Sequence, residues 1–314
     1  SAIDPVFWAG VALASQDFPG ETEESVRCHS PRAFLEGRAD AISKDELTNA
    51  DLEGIQCELC HRSVDDGVTP PGNARHVLDD VAVNGMVPRR GPWAYPMMGG
   101  EVPPPPHEVL QDTEFLPSSR LCGTCHDVTT PRARLDDNGQ PTGTLFNEQR
   151  TYSEWVNSAY AEAGSNAATC QDCHMTEVEV PAAGCLEFES LGELHSQGAR
   201  RHLIMGANKG ALGILRDFIP EADPDAIDVV LEHIDDFLAT AATLDVTFPT
   251  SVDATQGLSG LEVVVTNNTG HKLPTGYSEG RVMWLELTAS YQDALVYSSG
   301  RWLPGQGLEN DPQQ

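Results

Sequence analysis

Lysine is nearly missing from this chain: Lys44, Lys209 and Lys272 are all that its 314 residues contain. Lysine and arginine together number 19 against 48 acidic residues, for a formal net charge of -29. A field of that sign repels nucleic acid and anionic lipid, so no nucleic-acid partner is expected. No apolar run approaches the eighteen or so residues that a membrane-spanning helix requires, so no membrane span is expected either. The opening residues, Ser1-Ala2-Ile3-Asp4-Pro5, have neither a basic segment nor an apolar one. They read as the start of a mature protein whose signal peptide has been removed. A glycine-rich phosphate loop and a Gly-x-Ser-x-Gly elbow are also missing, which argues against nucleotide-dependent and serine-hydrolase chemistry.

Cysteine is plentiful and patterned. Six of the eight cysteines fall in three runs, Cys57-Glu58-Leu59-Cys60-His61, Cys122-Gly123-Thr124-Cys125-His126 and Cys170-Gln171-Asp172-Cys173-His174. Two thiols three residues apart reach the two vinyl groups of a haem while the adjoining imidazole meets the iron. Three covalent haems c are therefore expected, with His61, His126 and His174 as iron ligands. The competing reading is a set of zinc or redox Cys-x-x-Cys pairs, each followed by a chance histidine, and it needs three coincidences. Haem attachment to this motif is a chemistry of compartments outside the cytoplasm, which predicts a periplasmic or extracellular location.

The expected fold class is α+β. Residues 1–242 read as a loop-rich, mainly helical domain packed around haem, and residues 243–314 as a small antiparallel β module. The pattern from Ser43 to Gln56 predicts a capped short helix. Residues 62–121 are rich in proline and glycine, and the run Pro103 to Pro106 should be extended and deliver His107. The spacing of Tyr152, Trp155, Val156, Ala159 and Tyr160 predicts a helix over 151–163 with Thr151 as its cap. A second helix should start at Asp223-Pro224 and carry Ile227, Val230, Leu231, Ile234, Phe237 and Leu238 on one stripe, with His233 at its border. Four β-rich runs follow, Asp245–Phe248, Leu261–Thr266, Val282–Thr288 and Ala294–Ser298. They suggest an immunoglobulin-like sandwich with too few strands to be complete.

Several stretches together resemble bacterial multihaem c-type cytochromes of the tetrahaem kind. These are Cys28-His29-Ser30-Pro31 with Phe34-Leu35-x-Gly37-Arg38-Ala39, the three haem motifs with their flanks, Glu148-Gln149-Arg150-Thr151-Tyr152-x-Glu154-Trp155, and Gly270-His271-Lys272-Leu273-Pro274-Thr275-Gly276-Tyr277. In proteins of this kind the first Cys-His-Ser-Pro belongs to a full haem motif, whereas here Ser25 stands where its first cysteine would be. The resemblance implies a fourth haem held by one thioether at Cys28, with His29 as ligand. A disulfide from Cys28 to Cys185 and a free buried thiol are the alternatives.

An electron-transfer haem needs both axial positions filled. His202 and His107 sit where similar cytochromes place distal ligands. His271 could project from a loop between strands, and His233 and His195 follow as candidates. His76 has the least to recommend it. The expected function is electron transfer through closely spaced, mostly bis-histidine haems. Two other readings are a haem enzyme with one open iron position acting on a small nitrogen or sulfur compound, and a structural subunit of an extracellular haem wire or larger redox complex. Expected partners are redox proteins with basic docking faces, further copies of the chain, or a larger assembly. The acidic surface reads first as a solvated coat and second as a docking face for a cationic redox partner, because charge runs are usually solvated surface.

Overall fold

In the computed structural model the described residues are 2–17, 22–92, 107–178, 199–251, 255, 257, 259–277, 280–305 and 307–309. Pro103 to Pro106, Cys185 and His195 lie outside them.

Helix α1 (Pro5–Asp17) packs Trp8 and Val11 against Ala41, with Phe7 and Leu47 at the edge. Helices α2 (Thr22–His29) and α3 (Pro31–Leu35) meet at Ser30, and Pro31 takes the first helical position, where its missing N–H costs nothing. Ser30 Oγ donates to the Asp51 carbonyl at 2.9 Å. The Asp51 carboxylate, fully buried, accepts two bonds of 2.8 Å from Arg38, one of 2.8 Å from the Thr48 N–H and one of 2.7 Å from the Thr48 hydroxyl. Burial alone would raise this carboxyl, but the hydrogen bonds from Arg38 and Thr48 outweigh it and bring its pKa down to about 2. The segment that follows Cys28-His29 is thus locked by one buried ion pair.

That lock also corrects the expectation of a single helix from Ser43 to Gln56. The chain makes a 3-10 turn at Lys44–Glu46 and restarts as α4 (Asn49–Leu52), where Thr48 and Asp51 form a capping box. The helices at the three Cys-x-x-Cys-His runs are α5 (Cys57–Arg62), α6 (Ser119–Gly123) and α8 (Cys170–His174). Between α5 and α6, β1 (Arg89–Gly91) pairs in parallel with β2 (Val109–Gln111). β3 (Ala133–Leu135) and β4 (Pro141–Leu145) form an antiparallel hairpin before α7 (Thr151–Val156). Helix α7 is shorter than the predicted 151–163, and Arg150 rather than Thr151 occupies its cap. Thr151 Oγ is instead within 2.9 Å of Thr275 Oγ, and Ser158 Oγ returns to the Trp155 carbonyl at 2.8 Å, closing the last turn.

Two helices follow, α9 (Lys209–Phe218) and α10 (Pro224–Ala239). The second starts as expected: Asp223 accepts from the N–H groups of Asp225 and Ala226 at 3.1 and 3.2 Å, and Ile234 is buried. The last part of the chain forms β5 (Ala242–Thr247) with β6 (Glu262–Asn267), β7 (Leu287–Tyr291) with β8 (Ala294–Ser299), and β9 (Trp302–Leu303) with β10 (Gly307–Leu308). The architecture is α+β. Among the described residues these strands make separate two-stranded antiparallel ribbons, not the layers of a sandwich. The predicted strand from Val282 begins only at Leu287, opposite Ser299. Gly300, at φ +69°, then turns the partner strand away and brings its backbone onto the Leu285 carbonyl.

The 268–277 loop after β6 crosses the predicted boundary at 242 to reach α7. Tyr160 donates to the Asn268 carbonyl at 2.6 Å, and Glu154 accepts from the Lys272 N–H at 3.0 Å and the Thr275 hydroxyl at 2.7 Å.

Candidate functional site

Helical geometry explains why the three motifs work as units. Residues three and four apart share a helix face, so both thiols and the following imidazole of each run leave on the same side. In the third motif a capping box between Thr169 and Asp172 starts the helix at Cys170. The second motif instead straddles the end of α6, and its turn continues through a 2.9 Å bond from the His126 N–H to the Cys122 carbonyl. Gly123 is needed there: a Cβ would come within 2.5 Å of the Tyr152 ring, which packs over the motif. None of the three motif helices buries an apolar side chain. Helices that lack an apolar partner among the described residues fit a covalent porphyrin, which would supply one.

Each motif histidine has its Nδ1 engaged. His61 Nδ1 is 2.6 Å from the Arg90 carbonyl on β1, His174 Nδ1 is 2.6 Å from the Met205 carbonyl, and His126 Nδ1 is 3.0 Å from Gln149 Oε1. An acceptor at Nδ1 fixes that nitrogen as the N–H and leaves Nε2 with its lone pair, the form in which histidine binds a metal.

Opposite two of these rings stands a second histidine. The ring centres of His61 and His202 are 6.2 Å apart with planes 37° apart, and those of His174 and His271 are 6.3 Å apart with planes 28° apart. Metal–imidazole bonds of about 2.0 Å, plus about 1.1 Å from nitrogen to ring centre, put two imidazoles facing one metal at about 6.2 Å between centres. Both pairs match that centre-to-centre spacing. Among the described residues no three His, Cys, Asp or Glu side chains gather as a zinc site would need.

The partners are held in place by backbone. His202 lies on a stretch paired with the exit of the third motif, through Val178 N–H to the Ala199 carbonyl at 2.8 Å and Arg201 N–H to the Thr176 carbonyl at 2.9 Å. Three residues later the same stretch offers the Met205 carbonyl to His174. Met205 itself is buried packing. His271 sits on the loop that Glu154 fastens, with its Nδ1 2.9 Å from the Lys272 carbonyl. Phe237 on α10 meets the His174 ring edge-on at 5.2 Å.

The remaining candidates are placed differently. His233 Nε2 lies 3.4 Å from an Arg201 nitrogen, and His107 Nδ1 is 3.2 Å from the Glu108 carbonyl. Among the described residues neither pairs with a motif histidine ring, nor does any histidine pair with His126. His29 stacks on Phe7 at 4.2 Å, and burial, the nearby N-terminal charge and His126 lower its pKa to about 4, so the ring is neutral at ordinary pH. His76, which the sequence ranked last, has its Nε2 3.1 Å from the Arg27 carbonyl, beside Cys28.

The thiols of different motifs also converge. Cys125 hydrogen-bonds with Cys28, which together with burial holds the Cys125 thiol protonated well above its usual range. Cys122 bonds with Cys170, which lowers the Cys170 thiol from its usual range against the opposing effect of burial and raises Cys122. Cys60 is raised by burial and by Cys57. No helix among the described residues is long and apolar enough to cross a membrane. Comparison with protein-family models, curated proteins and solved structures finds no match for the chain.

Proposed function

We propose that this protein is an electron-transfer multihaem cytochrome c, with haems attached at Cys57/Cys60, Cys122/Cys125 and Cys170/Cys173. The carrying observation is the pair of facing histidines, His61 with His202 and His174 with His271, at the spacing of two imidazoles on one metal. The bound group supplies one-electron chemistry at iron. The chain's part would be to hold each motif imidazole in one tautomer through its Nδ1 acceptor, to present a second imidazole opposite His61 and His174, and to surround the group with acidic surface that favours the more positive, oxidised state. On this reading the protein works outside the cytoplasm and meets redox partners through basic faces. Denaturing intact mass should show at least three haems, and low-temperature spin resonance should show low-spin ferric signals for two of them. An apoprotein mass, or zinc bound in stoichiometric amount, would sink the proposal.

A second reading has one specific support. Among the described residues, His126 has no facing histidine, so its iron is the one that could keep an open position for a small substrate. A high-spin signal that shifts on adding hydroxylamine or sulfite, and disappears in His126→Met, would favour this enzyme reading.

A further inference from the structure

Arg200 and Arg201 follow each other in the stretch that pairs with the exit of the third motif, and they are used differently. Arg200 is satisfied by Asp172 on α8 at 2.5 Å and by the Gln171 and Met175 carbonyls at 3.1 and 3.3 Å. Arg201 makes no ion pair among the described residues, in a chain with 48 acidic side chains to 19 basic ones. Its guanidinium ends instead 3.4 Å from His233 Nε2 on α10. That is longer than an ordinary hydrogen bond from nitrogen, so the two groups converge without satisfying each other.

A guanidinium only donates. A bond from Arg201 would therefore need His233 Nε2 as its acceptor and would place the ring proton on Nδ1, which is buried and has no hydrogen-bond partner among the described residues. A buried N–H with no acceptor is a costly arrangement. An acidic oxygen in front of the two groups removes the conflict: Nε2 then carries the proton and donates beside Arg201, while Nδ1 keeps only its lone pair. The donor set is that of a carboxylate seat, with the planar fork of the arginine as its stronger half.

Both halves of the seat stand next to the third motif. The Arg201 N–H bonds the Thr176 carbonyl at 2.9 Å, two residues past His174. His233 lies one turn before Phe237 on the same face of α10, and the Phe237 ring meets the His174 ring at 5.2 Å. The group that this motif would hold carries two propionate carboxylates, so an acceptor of the right chemistry belongs to the same neighbourhood. Arg201 also precedes His202 in sequence, which makes the haem of the first motif the rival source of the carboxylate.

We propose that Arg201 and His233 together hold a propionate of the haem attached at Cys170 and Cys173, and that His233 is a positioning residue, not an iron ligand. The inference rests on the multihaem reading above. By opposing the charge of the propionate, the pair makes the reduced state of that haem easier to reach and raises its midpoint potential against the pull of the acidic surface.

The holoprotein, expressed in a host that matures c-type cytochromes, provides the test. Spin-resonance potentiometry follows the low-spin ferric signal that His271→Ala removes, which marks this haem. Arg201→Leu and His233→Leu should each move the midpoint of that signal to more negative potential, with the haem count by mass and the low-spin state unchanged. Arg201→Lys, which keeps the charge, should show much less of the shift. Because both residues hold one carboxylate, the shift in the double variant should be smaller than the sum of the two. An unmoved midpoint in Arg201→Leu, additive shifts in the double variant, or a shift confined to the signal that His202→Ala removes would overturn the inference and leave the multihaem reading standing. Loss of a low-spin signal in His233→Leu would overturn it as well, by making His233 a ligand. A parent chain without haem would overturn both.

Discussion

His202 faces His61 across 6.2 Å from ring centre to ring centre, although one closes the haem-motif region in sequence and the other opens it. Removing the facing ring should leave attachment intact and change only the iron's spin state. His202→Ala and His271→Ala are each expected to convert one low-spin ferric signal to high-spin with the haem count by mass unchanged, whereas His233→Ala should change neither. Low-temperature spin resonance on the three variants decides. A His202 variant with unaltered low-spin signals would refute the pairing.

Gln149 is the acceptor for His126 Nδ1. If His126 holds a haem iron as proposed, Gln149→Leu removes that acceptor, makes the imidazole a weaker donor, and should raise one midpoint potential while the others hold. Potentiometric titration of parent and variant measures this, and a shift to more negative values would refute the assignment.

The Arg38–Asp51 pair should dominate acid sensitivity. A carboxyl whose pKa falls on folding contributes stability that is complete above its unfolded value near 4 and is lost as pH falls towards about 2. Asp51→Ala leaves Arg38 with only its exposed partner Glu36 and takes away the acceptor of the Thr48 N–H and hydroxyl, and should cost about 3 kcal/mol. Denaturant melts followed by circular dichroism between pH 2 and pH 7 would show the parent losing stability below about pH 4 and the variant showing much less of that loss.

Gly123→Ala places a methyl 2.5 Å from the Tyr152 ring. Overpacking of this kind costs about 1–3 kcal/mol, so the variant should melt several degrees lower. Adding Tyr152→Leu should recover part of the loss; an unchanged melting temperature in Gly123→Ala would contradict the contact.

With a net charge of -29, reduction by a cationic reagent should slow as salt is added, while reduction by an anionic one should accelerate. Stopped-flow rates with hexaammineruthenium(II) and dithionite at several ionic strengths test the signs.

Some of this was legible in the sequence, because it depends on neighbours along the chain. The Asp223-Pro224 start of α10 and the one-sided thiols of each motif are local matters of capping and helical period. Long-range pairing was not. Nothing around His202 or His271 tells which motif histidine each will face, since the 199–205 backbone pairing and the Glu154 clamp set that. Thr151 read as a cap because cap chemistry is local, yet Thr275 competes for its hydroxyl. The placement of His76 was out of reach for the same reason: Asn73 and Ala74 before it bond residues 124–129, which follow by about fifty positions. Gly123 had no local signal either, because the Tyr152 ring that excludes a Cβ there lies far along the chain and only packing brings the two together.

The stretch from Ala199 to Met205 has one more consequence. It gives one ring to the His61 pair and one carbonyl to the His174 pair, with only Leu203 and Ile204 between them. If the first iron drew His202 closer on changing oxidation state, the Met205 carbonyl would move with it and alter the donor strength of His174. The two centres would then titrate as a linked couple, each one's midpoint depending on the other's occupancy, and an insertion of one glycine between His202 and Met205 would let them relax independently.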